Sequence, residues 1–182
     1  MIAEAALESF ELPGYVALTL EVEGFDPLKG TVTIKNNKLS SGTDLIVGFV
    51  FGTYDDATKT FSVITYVKDS TTYAWGSYKP QVDAPSKGGT KDVDVETYAL
   101  NPASEITVDI MAFVGPYNVD GTAVLRYDSR DWGSGSRVIG INWSDLQTYL
   151  SHVYDAEIYT DRVTVTPRVS AAEVRGFSIS KA

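Results

Sequence analysis

The stretch "TVTIKNNKLSSGTDLIVGFVF" at residues 31–51 decides the fold class of this chain. Residues 31–35 alternate polar and apolar side chains, which is the pattern of a strand with one buried face. Residues 45–51 are apolar almost throughout, and this indicates a central strand buried on both faces. Between the two segments, Asn36 and Asn37 can bond their own backbone and tolerate left-handed geometry, so we interpret them as a turn. A ligand contact at these asparagines is the less favoured alternative.

The rest of the chain repeats this short-strand pattern. A second apolar strand is predicted at residues 61–67, and the connection "GTYDDATKT" is rich in turn formers, so the pair is predicted to be a hairpin. Valines alternate with acidic residues at 92–96, and apolar residues occupy every second position of 106–114. Regular glycine and proline punctuation favours an all-β fold, an antiparallel sandwich of the immunoglobulin-like or jelly-roll-like type.

One short helix near the C-terminus interrupts the strands. In "SDLQTYLSHVY", Ser144 is predicted as the N-cap, and Gln147 three residues later completes a capping box. Four apolar residues then follow at helical spacing on one face: Leu146, Tyr149, Leu150 and Val153. We therefore predict a sandwich domain at 1–142 and a helix with a C-terminal strand extension at 143–182. The extension is expected to pack either on the same domain or on a neighbouring subunit.

Several segments together resemble a known family of sandwich domains. They are "ESFELPG" at 8–14, the strand that ends at Asn36 and Asn37, "DAPSKGGTKDVDVETYAL" at 83–100 and "ITVDIMAFVG" at 106–115. Over about residues 5–127 the chain resembles the CARDB-like immunoglobulin-like sandwiches of bacteria and archaea. An asparagine–lysine step stands here where that family usually has asparagine–glycine. The resemblance implies a non-catalytic module of surface or assembled structures.

Charge and composition exclude several classes of partner. The formal net charge is -9, and both nucleic acid and anionic membranes need a basic surface, so neither is expected as a partner. No apolar run is long enough to insert into a membrane. The chain has no cysteine, which excludes disulfides and thiolate metal sites. Absent cysteine and abundant aromatic residues favour an extracellular, cell-surface or virion location.

Little in the sequence points to catalysis. His152 is the only histidine, and no Gly-x-Ser-x-Gly string is present, so we predict neither enzymatic activity nor a cofactor. Calcium is the better metal candidate because it prefers oxygen clusters, and Asp92 and Asp94 are expected to project from one strand face. The loop candidates for calcium are Asp55, Asp56, Asp128 and Asp131. The usual calcium-loop pattern is missing, so these aspartates are expected mainly to solubilise the surface.

Clustered aromatic residues are the second lead. The set predicted to bind ligands is Tyr73, Trp75, Tyr78 and Trp132. Rings beside polar groups stack on sugars and also anchor protein interfaces, so a carbohydrate-binding or adhesion module is the alternative function. Stacking would need Trp75 and Trp132 to be exposed. The competing interpretation is that these rings close the ends of the sandwich.

The C-terminal segment is predicted to be an assembly strand. Its positions are Arg162, Val163, Val165, Phe177 and Ile179. An exposed strand edge is a template for another chain, so residues 162–180 should either close the protein's own sheet or extend a neighbour's. The favoured function is a non-enzymatic structural or interaction protein of a capsid, turret, pilus or surface layer. It would use sheet edges and aromatic loops for protein contacts, either with itself or within a larger assembly, and glycans are the possible partner under the alternative function.

Overall fold

The structure is a computed structural model that describes most of the chain. The described residues are 6–11, 18–27, 29–95, 106–119, 125–129, 138–167 and 177–181. Only the backbone is described at 6–11, 106, 129, 138–139, 160–167 and 177–181.

Twelve strands and one helix are found in these residues. The strands are β1 (Ala6–Glu11), β2 (Leu20–Asp26), β3 (Thr31–Asn36), β4 (Asp44–Asp55), β5 (Thr60–Lys68), β6 (Thr71–Asp83), β7 (Thr90–Asp94), β8 (Ile106–Pro116), β9 (Tyr127–Ser129), β10 (Val138–Asn142), β11 (Asp155–Pro167) and β12 (Phe177–Lys181). The helix is α1 (Trp143–Leu150). The protein is an antiparallel all-β sandwich with one short helix, as the sequence predicts.

The large sheet is built around β4. Its nine described strands run in the order β12-β11-β8-β4-β5-β6-β10-β9, with β1 paired to β5. One side of β4 pairs with β8 along its length. Its other side is divided, because residues 44–50 pair with β6 while residues 52–55 pair with β5. Eight consecutive residues of β4, from 45 to 52, are buried, and this confirms the predicted central strand.

A small sheet of three strands, in the order β2-β3-β7, covers one face of the large sheet. Its strands alternate buried and more exposed residues, so one face is apolar and the other polar. The apolar face contributes Leu20, Val22, Val32, Ile34 and Val93 to the first core cluster. From the large sheet that cluster receives residues such as Val47, Phe49, Ile110 and Val114.

The helix covers the opposite face of the large sheet. Leu146, Tyr149, Leu150 and Val153 are all buried in the second core cluster, as their spacing predicts. The predicted cap is wrong, however. The N-cap lies two residues earlier, at Asn142, whose side chain accepts a 3.0 Å hydrogen bond from the backbone N–H of Asp145. Trp143 is buried and is the first residue of the helix. Ser144 is therefore the second helical residue, and its side chain is exposed.

Strand β6 was not anticipated as a long element. It pairs with β4, β5 and β10, so it is a main component of the sheet rather than a loop that carries aromatic residues. The predicted hairpin of β4 and β5 is confirmed, with Tyr54 opposite Phe61 and Asp55 opposite Thr60. The division into residues 1–142 and 143–182 stays a prediction.

Candidate functional site

The polar face of the small sheet is built from three rows of residues across its strands. Strand register places Thr31 between Asp26 and Asp94, Thr33 between Gly24 and Asp92, and Lys35 between Glu21 and Thr90. The Thr31 hydroxyl donates to Asp94 Oδ1 at 2.8 Å, and the Thr33 hydroxyl donates to Asp92 Oδ1 at 2.7 Å. Two cross-strand side-chain bonds therefore hold both carboxylates in place at the surface.

An open groove of about 530 Å³ lies over two of these rows. Its lining residues are Phe25, Asp26, Lys29, Thr31, Thr33, Asp92 and Asp94. Gly24 adds no side chain beside Thr33, which leaves space in the middle row. Three carboxylates and one lysine make the lining acidic, so the groove favours positively charged groups. Local pattern predicted that Asp92 and Asp94 share a face, but not that the threonines of β3 would face them.

The outer edge of β7 presents backbone groups to solvent. The N–H of Val95 donates to Gly30 O, and the N–H of Asn36 donates to Gly89 O. These two bonds show which residues of β7 direct their backbone hydrogen-bonding groups toward β3. Inward and outward hydrogen-bonding groups alternate along such a strand. The N–H and C=O groups of Thr90, Asp92 and Asp94 consequently point away from β3. All three residues are exposed, and among the described strands β7 pairs with β3 alone.

The opposite edge of the small sheet is capped by a side chain. The backbone N–H of Val22, on β2, donates a 2.7 Å hydrogen bond to Asp155 Oδ2 on β11. Burial raises the pKa of Asp155, and the hydrogen bonds from the backbone of Val22 and Ala156 lower it less. Burial likewise raises the pKa of Glu157, two residues further along β11. At Val22 the β2 edge is thus bonded within the protein, whereas among the described strands β7 pairs with β3 alone.

The two asparagines of the opening stretch have structural roles. The Asn36 side chain is buried, and its amide nitrogen donates to Leu39 O at 2.9 Å and to Pro85 O at 2.7 Å. Its oxygen accepts a hydrogen bond from the backbone N–H of Leu39 at 2.9 Å. The Asn37 amide donates to Glu21 Oε2 at 2.6 Å. Asn36 thus joins the end of β3 to two loops, which agrees with its interpretation as a turn residue.

The aromatic set predicted from sequence is largely buried where it is described. Trp75 is 1% exposed and its ring centroid lies 4.1 Å from that of Tyr66, so this ring does not meet the exposure that sugar stacking requires. Tyr78 is also buried, and its hydroxyl donates to Leu125 O at 2.8 Å. Burial raises the pKa of Tyr78. Tyr73 is half-buried, and Trp132 lies outside the described residues. The closeness of Trp75 to Tyr73 and Tyr78 in the sequence suggests a binding cluster, whereas β6 is paired on both sides within the large sheet.

The calcium candidates do not converge. Asp55 accepts hydrogen bonds from the backbone of Ala57 and Thr58 within its own turn, and Asp56 pairs with Lys59 at 2.9 Å. Asp131 lies outside the described residues. Within the part of the chain that the structure describes, no group of three or more histidine or acidic side chains could hold a metal ion.

Asp128 is a buried carboxylate with a structural contact set. Its Oδ2 accepts a hydrogen bond from the Tyr66 hydroxyl, and its Oδ1 accepts one from Lys68 Nζ at 2.6 Å. Gly140 lies against the same Tyr66 hydroxyl, where a Cβ would overlap it. These contacts anchor β9 to the middle of the large sheet.

The predicted assembly strand pairs within the chain's own sheet. Positions 163–165 of β11 lie opposite 106–108 of β8, and positions 163–167 also lie opposite 177–181 of β12. Arg162, Val163, Val165, Phe177 and Ile179 all fall on these two strands, and only their backbone is described. Strand β12 is the last described strand on its side of the large sheet, so its second edge has no described neighbour. Its role in assembly stays a prediction.

Comparisons with protein-family models, with curated proteins and with solved structures find no match to this chain. The resemblance to CARDB-like sandwiches accordingly stays a prediction that rests on the segments quoted above. None of the described helices is long and apolar enough to span a membrane.

Proposed function

We propose that this protein is a non-enzymatic structural module that associates with other protein chains through the edges of its β-sheets. The setting we propose is an extracellular, cell-surface or virion assembly. The observation that carries the proposal is the edge of β7, which has no second neighbour among the described strands and where Thr90, Asp92 and Asp94 are exposed and direct their backbone groups away from β3.

An open edge favours association because its N–H and C=O groups can pair with an added strand without rearrangement of the domain. Both core clusters are well buried around β4 and β8, so the domain supplies a rigid frame for such an edge. The contrast with β2 supports this view, since Asp155 closes that edge within the molecule. We infer that one edge is satisfied internally and the other is kept for a partner.

Carbohydrate binding is the weaker alternative. It required exposed rings, and the buried Trp75 and Tyr78 offer no face to a sugar. Of the predicted aromatic set, the described residues leave Tyr73 alone, which is half-buried and stacked on Tyr66 at 5.5 Å. A protein interface needs no such ring.

Sedimentation velocity and negative-stain electron microscopy of the full-length protein, over a range of concentrations, test this function. Concentration-dependent assembly into rings, filaments or defined oligomers is expected. A protein that sediments as a monomer throughout, with no particle larger than one domain, would contradict self-assembly.

The tail needs a carefully placed truncation. A protein that ends at Tyr154 lacks all of β11, and with it the buried Asp155 and Ala156, so loss of folding is the expected result. A protein that ends at Pro167 lacks only β12 among the described strands. This second truncation should keep the circular dichroism spectrum of a β-protein and lose assembly. If it assembles as well as the full chain, β12 is not the connector.

A further inference from the structure

We propose that the β7 edge of one molecule receives the C-terminal strand β12 of a second copy, so that the large sheet of one molecule continues into the small sheet of the next. This inference rests on the proposed function and names both halves of the contact. The donor edge is the outer side of β12, and the acceptor edge is formed by Thr90, Asp92 and Asp94.

The backbone geometry selects β7 over β2 as the acceptor. On β2, the outward-facing N–H of Val22 is already bonded to Asp155 at 2.7 Å. On β7, the N–H and C=O groups of Thr90, Asp92 and Asp94 all point outward, and the three residues are exposed. An incoming strand of five residues could form one backbone hydrogen bond with each of these N–H and C=O groups.

Charge disfavours pairing of β7 with a second β7. An antiparallel pair that used all three outward-facing residues would place Asp92 directly opposite Asp92 of the other copy. Like charges opposite each other destabilise a strand pair. The hydroxyls of Thr31 and Thr33 lie directly opposite the two carboxylates, and Lys35 lies opposite Thr90, so neither carboxylate has a basic side chain directly across from it on β3. A basic strand on the vacant side would supply the missing charge.

The C-terminal segment of this chain has the required charge. Residues 168–182 hold three of the fifteen basic residues and one of the twenty-four acidic ones, so their net charge is about +2. The remaining chain carries about -11. Arg175 precedes β12 in the sequence, and Lys181 is its last residue. The groove beside Asp92 and Asp94 is acidic as well, and it offers space for a basic side chain from the added strand.

The contact joins two different surfaces, so it is heterologous. A heterologous contact that repeats gives a ring when its rotation closes and a filament when it does not. Each molecule would donate one β12 edge and accept one at β7. Assembly should also weaken as salt is raised, because exposed opposite charges contribute to the contact.

Asp92→Pro is the sharpest variant for this edge. The N–H of Asp92 points away from β3, so proline removes a donor to the partner without removing a hydrogen bond of the β3–β7 ladder. Sedimentation should show assembly weakened about tenfold or more. Asp92→Asn keeps the donor and removes the charge, and about a two- to fivefold loss is expected. Glu23→Gln, an equal charge change at the exposed bulge of β2, is the control and should assemble normally.

A labelled peptide of residues 168–182 provides an independent test by fluorescence anisotropy. Full-length protein is used because its β11 edge is already occupied by β12, so the peptide reports on other edges. Binding to the wild type that is lost in Asp92→Pro supports the acceptor assignment. Equal binding to both proteins, or no binding to either, overturns it.

The outcomes separate the inference from the proposed function. If the truncation at Pro167 abolishes assembly while a folded Asp92→Pro protein assembles normally, assembly stands and β7 is not the acceptor. If the wild type never assembles, the proposed self-assembly fails, and peptide binding alone then decides the β7 edge. Unchanged thermal melting of Asp92→Pro establishes that the variant is folded. If Asp92→Pro does not fold, assembly of the Asp92→Asn protein decides whether β7 is the acceptor edge.

Discussion

The Asp155 carboxylate on β11 accepts a hydrogen bond from the backbone N–H of Val22 on β2, and this bond joins the two sheets of the sandwich. The two residues are 133 positions apart in the chain, and both are buried. A carboxylate in that position bonds to the strand edge but is removed from water, which raises the free energy of its charged form. Its ionisation state should therefore affect the stability of the fold.

Substitution of Asp155 by asparagine should make stability less sensitive to pH. Burial raises the pKa of this carboxyl above its ordinary value of 3.8, so the folded protein binds the proton more tightly than the unfolded chain does. The free energy of unfolding therefore falls as pH rises from 3.8 through the raised pKa. Asparagine keeps an oxygen for Val22 and cannot ionise, so Asp155→Asn should gain stability relative to wild type over that window. Urea unfolding at a series of pH values measures the difference.

Glu23→Gln is the control for this titration. Glu23 is exposed on the β2 bulge, and its substitution by glutamine removes the same charge as Asp155→Asn does. Its stability relative to wild type should change little across the same pH range. A difference between Asp155→Asn and wild type that is constant with pH would show that Asp155 does not contribute through its ionisation.

Adjacent asparagines should respond very differently to alanine. Asn36→Ala removes three part-buried hydrogen bonds and leaves two carbonyl groups and one N–H without the Asn36 side chain, so a loss of about 3 kcal/mol in unfolding free energy is expected. Asn37→Ala removes the single bond to Glu21 and should cost no more than about 1 kcal/mol. Chemical denaturation of both variants checks the order. Equal losses would mean that Asn36 does not hold the two loops together.

Charges placed in the centre of the large sheet should prevent folding or reduce it severely. Val47 and Ile110 are 0% and 2% exposed, so Val47→Asp or Ile110→Asp buries an unpaired carboxylate and should cost more than about 4 kcal/mol. Thr53→Asp is the matched control, because Thr53 is an exposed residue of the same strand as Val47. Thermal melting by circular dichroism compares the three. A variant of Val47 or Ile110 that melts like wild type would contradict the observed core.

A methyl group should be harmful at one glycine of this fold and harmless at another. In Gly140→Ala the new Cβ would overlap the Tyr66 hydroxyl that bonds to Asp128, so a loss of about 1–3 kcal/mol is expected from overpacking. In Gly24→Ala the nearest atoms, those of Thr33, lie 3.7 Å away, which is an ordinary contact. Denaturation curves for the two variants should differ accordingly. Similar stability would show that β10 can move away from Tyr66.

The elements predicted best are those whose pattern is local. Residues 45–51 form an apolar run and residues 106–114 carry an apolar residue at every second position, and both segments are strands inside the large sheet. Strand β6 was missed because Gly76, Lys79 and Pro80 interrupt its alternation, although Trp75 beside them is fully buried. The helix cap was misplaced because asparagine and serine both serve as N-caps, and the choice of Asn142 depends on the packing of Trp143.

The candidate site depends on pairing between distant strands. The sequence placed Asp92 and Asp94 on one face of their strand, as the structure confirms. That Thr31 and Thr33 would lie opposite them follows from the register of β3 and β7, about sixty residues apart in the chain. No local pattern encodes such a register, and the capping of β2 by Asp155 is equally non-local.

The divided pairing of β4 has a consequence for how the chain folds during synthesis. Strands β4, β5 and β6 are consecutive and pair with one another through short turns, so this meander can form as soon as residue 83 has left the ribosome. Strand β8 must follow to cover the other side of β4, and the lock between Val22 and Asp155 can close only after β11 is made. Until then the small sheet is held on the meander only by the apolar core that it shares with β4, β5 and β6. Apolar surface that β8 has yet to cover is prone to aggregation during this interval.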